Sequence, residues 1–274
     1  MQLHCANFTL DLSTPKVMGI VNVTPDSFSD GGKFARTDAA IAQAMQLIDE
    51  GASVLDIGGE STRPNATPVP EDEELLRVIP VIEALVARQI PVPISIDTYK
   101  PGVMRAAIAA GASIVNDVRG LQEPGALEAV AGSDAGVCIM HMQGTPQTMQ
   151  ENPHYEDVVA EVKAFLSQQR DACLAAGISQ ERIMLDPGFG FGKTRIHNIT
   201  LAKSLAELLA LGCPLLVGLS RKSVLGQMTG HDVDARLHAS VAAAVVSAMQ
   251  GAHLLRVHDV KATVEALKVV AALK

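Results

Sequence analysis

Short apolar runs recur along the chain, each closing on a polar residue and most of them followed by a stretch with helical period. The first, residues 17–21, is too short for a helix and lies between Pro15 and Thr24-Pro25. It reads as a strand buried on both faces, the kind found in parallel sheets. Similar runs stand at 53–59, 92–96, 113–115, 136–140, 183–185, 215–217 and 254–255. Helical patterns lie between them: 38–49 stopped by Gly51, a helix from Glu71 with Leu75, Val78, Ile79, Ile82 and Leu85 in register, 101–110 stopped by Gly111, about 155–176, and a last one from about Asp259. Four carboxylates, Glu71 to Glu74, crowd into one first turn, where they suit the helix dipole.

Eight strands alternating with helices, nearly all ending in a polar group, predict an α/β fold of one kind. This is a single (β/α)8 TIM barrel whose site forms at the rim of strand carboxyl ends. A doubly wound open sheet would place its site at one switch point instead of recruiting every strand. Residues 3–12 alternate apolar and polar, a short hairpin-like N-terminal segment able to cap the bottom of the barrel. Neither a linker nor a composition shift divides residues 1–274, which reads as one domain.

Composition narrows the function classes. A net charge of -8, no Trp and only 2 Tyr argue against a nucleic-acid partner. The longest apolar stretch, 239–249, falls short of a membrane span, and residues 1–12 lack the pattern of a signal peptide. Cys5, Cys138, Cys173 and Cys213 are scattered, without metal-ligand spacing, so a soluble protein of the reducing cytoplasm is expected.

The rim set is Asn22, Asp56, Asp97, Asn116, His141, Asp186, Lys222, Arg256 and His258. Any one of these alone is an ordinary strand-end residue satisfying backbone donors. Amides, carboxylates and cations converging on one space are not. Asp and Asn make paired planar hydrogen bonds to a flat heterocycle, while Arg63, Lys222, Arg256 and His258 suit an anion such as diphosphate. Ser220-Arg-Lys-Ser223 follows a strand and is expected to open a helix whose N–H groups favour a carboxylate or phosphate. Gly188-Phe-Gly-Phe-Gly192 has the wrong spacing for a dinucleotide fingerprint, and neither G-x-S-x-G nor H-E-x-x-H occurs. His141 has no second transition-metal ligand beside it, whereas an Asn with diphosphate oxygens suits Mg²⁺.

Together these motifs resemble the bacterial dihydropteroate synthase family over nearly the whole chain. The matching stretches are Gly19-Ile-Val-Asn-Val-Thr-Pro-Asp-Ser-Phe-Ser-Asp-Gly-Gly32, Asp56-Ile-Gly-Gly-Glu-Ser-Thr-Arg-Pro64, Ile96-Asp-Thr98, Asn116-Asp117, Met140-His-Met-Gln-Gly144, Leu185-Asp-Pro-Gly-Phe-Gly-Phe-Gly-Lys193, Ser220-Arg-Lys-Ser223 and Arg256-Val-His258. The resemblance implies a transferase of folate biosynthesis, joining 6-hydroxymethyl-7,8-dihydropterin diphosphate to para-aminobenzoate with release of diphosphate. By motif position it implies that Asp97, Asn116 and Asp186 hold the pterin, with Lys222 at its oxo and ring-nitrogen edge and Met140 and Phe191 along its faces. Asn22, Arg63, Arg256 and His258 would hold the diphosphate, with Asn22 as ligand to Mg²⁺. Thr62, Pro64, Phe191 and Ser223 would line the para-aminobenzoate site, where sulfonamides would compete. Asp97, Asp186, Lys222 and Arg63 are the expected catalytic set, and a homodimer is expected. The chain departs from the family at Asn65, where Gly is common, and at Tyr99, where a small residue is common. A pterin-dependent methyltransferase and a non-catalytic pterin-binding homologue are the alternative readings. The Thr62-Arg63-Pro64 loop and the Arg256/His258 pair argue against the first, and the intact rim cations with both glycine-rich loops against the second.

Overall fold

A computed structural model describes residues 1–24, 33–64 and 66–273. Most of the loop part of the Gly19–Gly32 motif and the family departure at Asn65 therefore lie outside the described residues.

Eight parallel strands make the sheet: β3 (Lys16–Asn22), β4 (Val54–Gly58), β5 (Ile94–Asp97), β6 (Ile114–Asp117), β7 (Gly136–Met140), β8 (Ile183–Asp186), β9 (Leu216–Val217) and β10 (Leu254–Val257). Their order is β8-β7-β6-β5-β4-β3-β10-β9. The edges meet at a parallel bridge between Leu185 and Leu215, where the Leu185 N–H donates to the Pro214 carbonyl at 2.9 Å. The barrel is thereby closed, as the alternation of strands and helices predicts. Several strands run one or two residues beyond the apolar runs because their polar ends stay in the ladder. Asp97 pairs with both Gly58 and Asn116, and Asp186 pairs with Met140.

The outer layer is helical: α1 (Lys33–Asp49), α2 (Glu71–Ala87), α3 (Pro101–Ala110), α4 (Ala126–Ala131), α5 (Val158–Ala175), α6 (Arg195–Lys203), α7 (Leu205–Leu208), α8 (Ser223–Thr229), α9 (Leu237–Met249) and α10 (Val260–Leu273). Helix α3 falls where expected, with Pro101 in its first turn and Gly111 left-handed at its end. Helices α4, α6, α7 and α9 went unread because three are short and α9 is too uniformly apolar to show a period.

Strand alternation splits the interior in two. Val17, Val21, Leu55, Ile57, Val115 and Ile139 face the helices, in one core with Ala44, Ile82, Val103 and Leu166. Met18, Val54, Ile114, Cys138, Met184, Leu216 and Leu254 face inward at the bottom. There β1 (Gln2–Cys5) and β2 (Phe8–Asp11), an antiparallel hairpin, lay Leu3 and Cys5 across the opening, together with Leu12 just beyond it. The expected cap is present.

Candidate active site

Two residues beyond four of these bottom positions, on the same inward face, the strands carry polar groups. Val54 is followed by Asp56, Ile114 by Asn116, Met184 by Asp186 and Leu254 by Arg256. Asp56, Asp97, Asn116 and Asp186 are all buried. The Arg256 guanidinium ties the first two together, with Nε to Asp56 Oδ2 at 2.5 Å and Nη2 to Asp97 Oδ2 at 2.6 Å. Asn116 Nδ2 donates to the same Asp56 oxygen at 3.2 Å. Asp56 Oδ1, Asp97 Oδ1 and Asn116 Oδ1 are left buried with no hydrogen-bond partner among the described residues. Buried acceptors are rarely left so, and each costs stability until a donor arrives. A ligand presenting several N–H groups would supply those donors.

Burial pushes the Asp97 carboxyl up to about 7; Arg256 opposes the shift, while Asp56, sharing that guanidinium, adds to it. Burial likewise raises Asp186 to about 6, opposed by the Gly188 N–H, which donates to its Oδ1 at 2.7 Å, and by Lys222. Lys222 is depressed to about 8 by burial and by Arg256, against the pull of Asp186 and Asp97. Its ammonium stands 3.8 Å from the centroid of the Phe191 ring. Phe191 and Met140 belong to one apolar cluster with Val118 and Met149, which gives the polar group an apolar neighbour suited to a flat ring.

The loop between Asp186 and Lys193 is shaped by glycine. At Gly188 (φ +68°) a Cβ would lie 1.8 Å from the His141 carbonyl oxygen, and at Gly192 (φ +60°) 2.4 Å from that of Gln143. Lys193 fastens this loop from inside: its buried Nζ lies 2.9 Å from His141 Nδ1 and donates to the carbonyls of Gly188 at 2.9 Å and Phe191 at 3.0 Å. Burial depresses Lys193 to about 7 and, with Lys193 beside it, His141 to about 3. His141 is a hydrogen-bonded rim histidine, as the sequence suggests.

The anion side is more open. His258 Nδ1 lies 3.0 Å from Ser220 Oγ, and burial, then Arg256 and Arg221, hold the ring at about 3. Arg63 is exposed on the loop after β4 and has no side-chain hydrogen bond or ion pair among the described residues. Glu60 and Glu73, two carboxylates near it in sequence, are engaged by Lys100 and Arg77. Its charge is among those acting on His258, so the two share this part of the rim. Thr62 is half-buried beside it and Pro64 exposed. Arg256 is not a free anion clamp, because its guanidinium is already engaged by Asp56 and Asp97. Ser220 to Lys222 form a turn with Arg221 left-handed (φ 57°), and α8 begins at Ser223, which is exposed. Asn22 ends β3, its Oδ1 across Gly58 from Asp97.

The family model described as pterin binding enzyme matches residues 18–258. Dihydropteroate synthase of Escherichia coli is 54% identical over 272 residues, covering 99% of this chain and 96% of that protein. The chain belongs to the dihydropteroate synthase family. Its fold follows the family's solved structures closely. The Yersinia pestis enzyme with a sulfonamide drug complex superposes with a TM-score of 0.94 at 52% identity, covering 100% of this chain and 99% of that one. The Xanthomonas albilineans enzyme in complex with 7,8-dihydropteroate gives 0.91 at 52% identity, covering 100% and 98%.

Against that background two groups of residues went unassigned in the sequence. Lys193 closes a quoted motif but reads as a solvated lysine, and only the fold buries it. Glu60, Glu74 and Lys100 form an ion-pair network under the loop of Arg63. The spacing of these residues, 60 to 74 to 100, carries no local period that would reveal it.

Proposed function

We propose that this chain condenses 6-hydroxymethyl-7,8-dihydropterin diphosphate with para-aminobenzoate to give 7,8-dihydropteroate and diphosphate, in folate biosynthesis. The observation that carries this reading is the set of buried acceptor oxygens on Asp56, Asp97 and Asn116, without partners among the described residues, beside Lys222 and Phe191. Relatives named for this reaction, one of them solved with 7,8-dihydropteroate, support it.

In this assignment Asp97, Asn116 and Asp186 accept from the N–H groups of the pterin, Lys222 donates to its acceptor edge, and Met140 and Phe191 flank the ring. Arg63 and His258 hold the diphosphate, while Arg256, engaged by Asp56 and Asp97, fixes those two carboxylates. The C–O bond at the pterin methylene breaks first, and diphosphate leaves with the electron pair. The carboxylates of Asp97 and Asp186 stabilise the pterin-methyl cation that remains. The neutral aryl amine, placed by Thr62, Pro64, Phe191 and Ser223, attacks that carbon and loses its proton to diphosphate or solvent. Keeping the cation among carboxylates matters more here than a strong base.

Mg²⁺ fits this arrangement. A Cβ on Gly58 would lie 3.9 Å from Asn22 Oδ1 and 3.7 Å from Asp97 Oδ2, so the missing side chain leaves a gap flanked by two oxygen donors. No group of three or more His, Cys, Asp or Glu able to hold a metal occurs among the described residues. Asn22 would therefore hold the ion together with substrate oxygens. An ion held there would supply positive charge to the leaving diphosphate.

Sulfonamides would compete with para-aminobenzoate; a related enzyme solved with a sulfonamide drug supports this. A homodimer is supported by the apolar side chains that α9 and α10 leave exposed, Val246, Met249 and Val269 among them. Four buried free cysteines support a cytoplasmic setting, and no helix among the described residues is long and apolar enough to cross a membrane. Purified protein with Mg²⁺ and both substrates should release diphosphate and form dihydropteroate. A folded sample that forms neither would overturn the assignment.

A further inference from the structure

The loop that carries Thr62, Arg63 and Pro64 is held at its base by one buried carboxylate. Glu60 Oε2 accepts from the Val69 N–H at 3.0 Å and from Lys100 Nζ at 2.5 Å, while Oε1 accepts from the Tyr99 hydroxyl at 3.2 Å. The first of these bonds closes residues 60 to 69 into a ring. Lys100 also pairs with Glu74 in the first turn of α2, so Glu60 is braced against the next helix. On the loop's other side, Gln147 Nε2 donates to the Ala66 carbonyl at 3.1 Å.

Tyr99 joins this brace to the site. Its ring packs against the apolar cluster of Val118, Met140, Met149 and Phe191, while its hydroxyl reaches Glu60. The Arg119 guanidinium carbon lies 4.2 Å and Lys100 Nζ 4.9 Å from the ring centroid, so two cations hold the ring. One side chain therefore touches both the wall assigned to the pterin and the carboxylate that closes the second loop.

We propose that Tyr99 is a positioning residue that sets the Thr62–Arg63–Pro64 loop relative to the Met140/Phe191 wall, and thereby tunes affinity for the aryl amine in this chain. The inference rests on the reaction assigned above. Burial, and then the charge of Glu60, raise the phenol, so at neutral pH the hydroxyl keeps the proton that it donates. A small residue at this position would leave Glu60 with two donors instead of three, and that flank of the wall open.

The test compares wild type with Tyr99→Phe and Tyr99→Ser, by hydrogen exchange over residues 61–70 and by steady-state kinetics. Tyr99→Phe should speed exchange of the Val69 amide and raise KM for para-aminobenzoate about three- to tenfold, the scale of one hydrogen bond. KM for the pterin diphosphate and the thermal midpoint should stay unchanged, and Tyr99→Ser should exceed Tyr99→Phe in both readouts. Unchanged Val69 exchange in both variants would overturn the inference. So would faster exchange with an unchanged KM for the aryl amine, or a parallel rise of both KM values. Should the wild type form no product, the reaction assignment fails by itself, and the exchange comparison still decides whether Tyr99 holds the loop.

Discussion

The two ends of the barrel are built from the same strands and obey opposite rules. At the bottom, Met18, Val54, Ile114, Met184 and Leu254 are fully buried against Leu3 and Cys5 in one apolar cluster. Two residues up four of these strands stand Asp56, Asn116, Asp186 and Arg256, and the oxygens Asp56 Oδ1, Asn116 Oδ1 and the adjacent Asp97 Oδ1 have no partner among the described residues. The lower end gains burial energy at little functional cost. The upper end keeps carboxylates raised to about 6 and about 7, Asp186 and Asp97, out of water, which no folding requirement demands. The contrast separates what holds this protein together from what it binds.

The largest expected effect breaks the lower end alone. Leu3→Ala would open a cavity under the barrel and should cost ~2–5 kcal/mol of unfolding free energy. Both KM values should be those of the wild type, because the plug and the site are separated by a layer of side chains. Denaturant unfolding with parallel kinetics checks this; a changed KM would mean that the ends are not independent.

Next comes the opposite substitution at the upper end. Asp186→Asn retains a carbonyl oxygen for the Gly188 N–H but removes the charge, so pterin affinity should fall at least about tenfold, or roughly 1–3 kcal/mol. Stability should not fall. A carboxyl raised from 3.8 to about 6 by burial stabilises the fold fully below 3.8 and loses that contribution as pH rises through about 6. At neutral pH the ionised Asp186 is therefore a cost that Asn removes. Calorimetric pterin titration and thermal unfolding read the two effects separately.

The same raised groups give a pH dependence of smaller size. Pterin affinity should rise with pH as Asp186 and Asp97 ionise, near about 6 and about 7, and decline again as Lys222 loses its proton near about 8. The sign is opposite to that of apo stability, which these carboxylates lower over the range where binding improves. Affinity that is flat between pH 5.5 and 8.5, values set by roughly those shifts, would mean that the three groups do not meet the ligand.

The comparison also explains what the sequence reveals. Strand ends are legible because the same two-residue step that turns Ile114 into a plug residue turns Asn116 into a rim residue, and both stand in one short run. Helices α1 to α3 and α5 show their period; α9 hides it, since Ala and Val fill nearly every position from 239 to 246. The site is legible as a set of residues and less so as a set of bonds. That Arg256 spans Asp56 and Asp97 depends on three strands, with partners 200 and 159 residues apart. Lys193, Glu60 and Lys100 look like solvated charges until the fold removes water from them. Long-range pairing of this kind has no local signal.

The smallest effect expected concerns the one site cation that the described structure leaves without a side-chain partner. Arg63 stands exposed, and two carboxylates near it in sequence, Glu60 and Glu73, are taken by Lys100 and Arg77. Its charge is among those that hold the His258 ring neutral, so an anion bound between them would offset the charge of Arg63. Diphosphate bound there would draw Arg63 toward it, and Thr62 and Pro64 would follow because they are its neighbours in the chain. Para-aminobenzoate should then bind weakly to the apo protein and more tightly once pterin and diphosphate are present. Arg63→Ala should remove most of that gain, about three- to tenfold for one partly solvated charge pair, and leave pterin binding largely intact. The effect should shrink at high salt, since an exposed charge is screened. Titrating para-aminobenzoate with and without the other ligands, at low and high ionic strength, measures it. Equal affinity in all four conditions would show that the loop is preformed, and the role of Arg63 would then be confined to steering the anion.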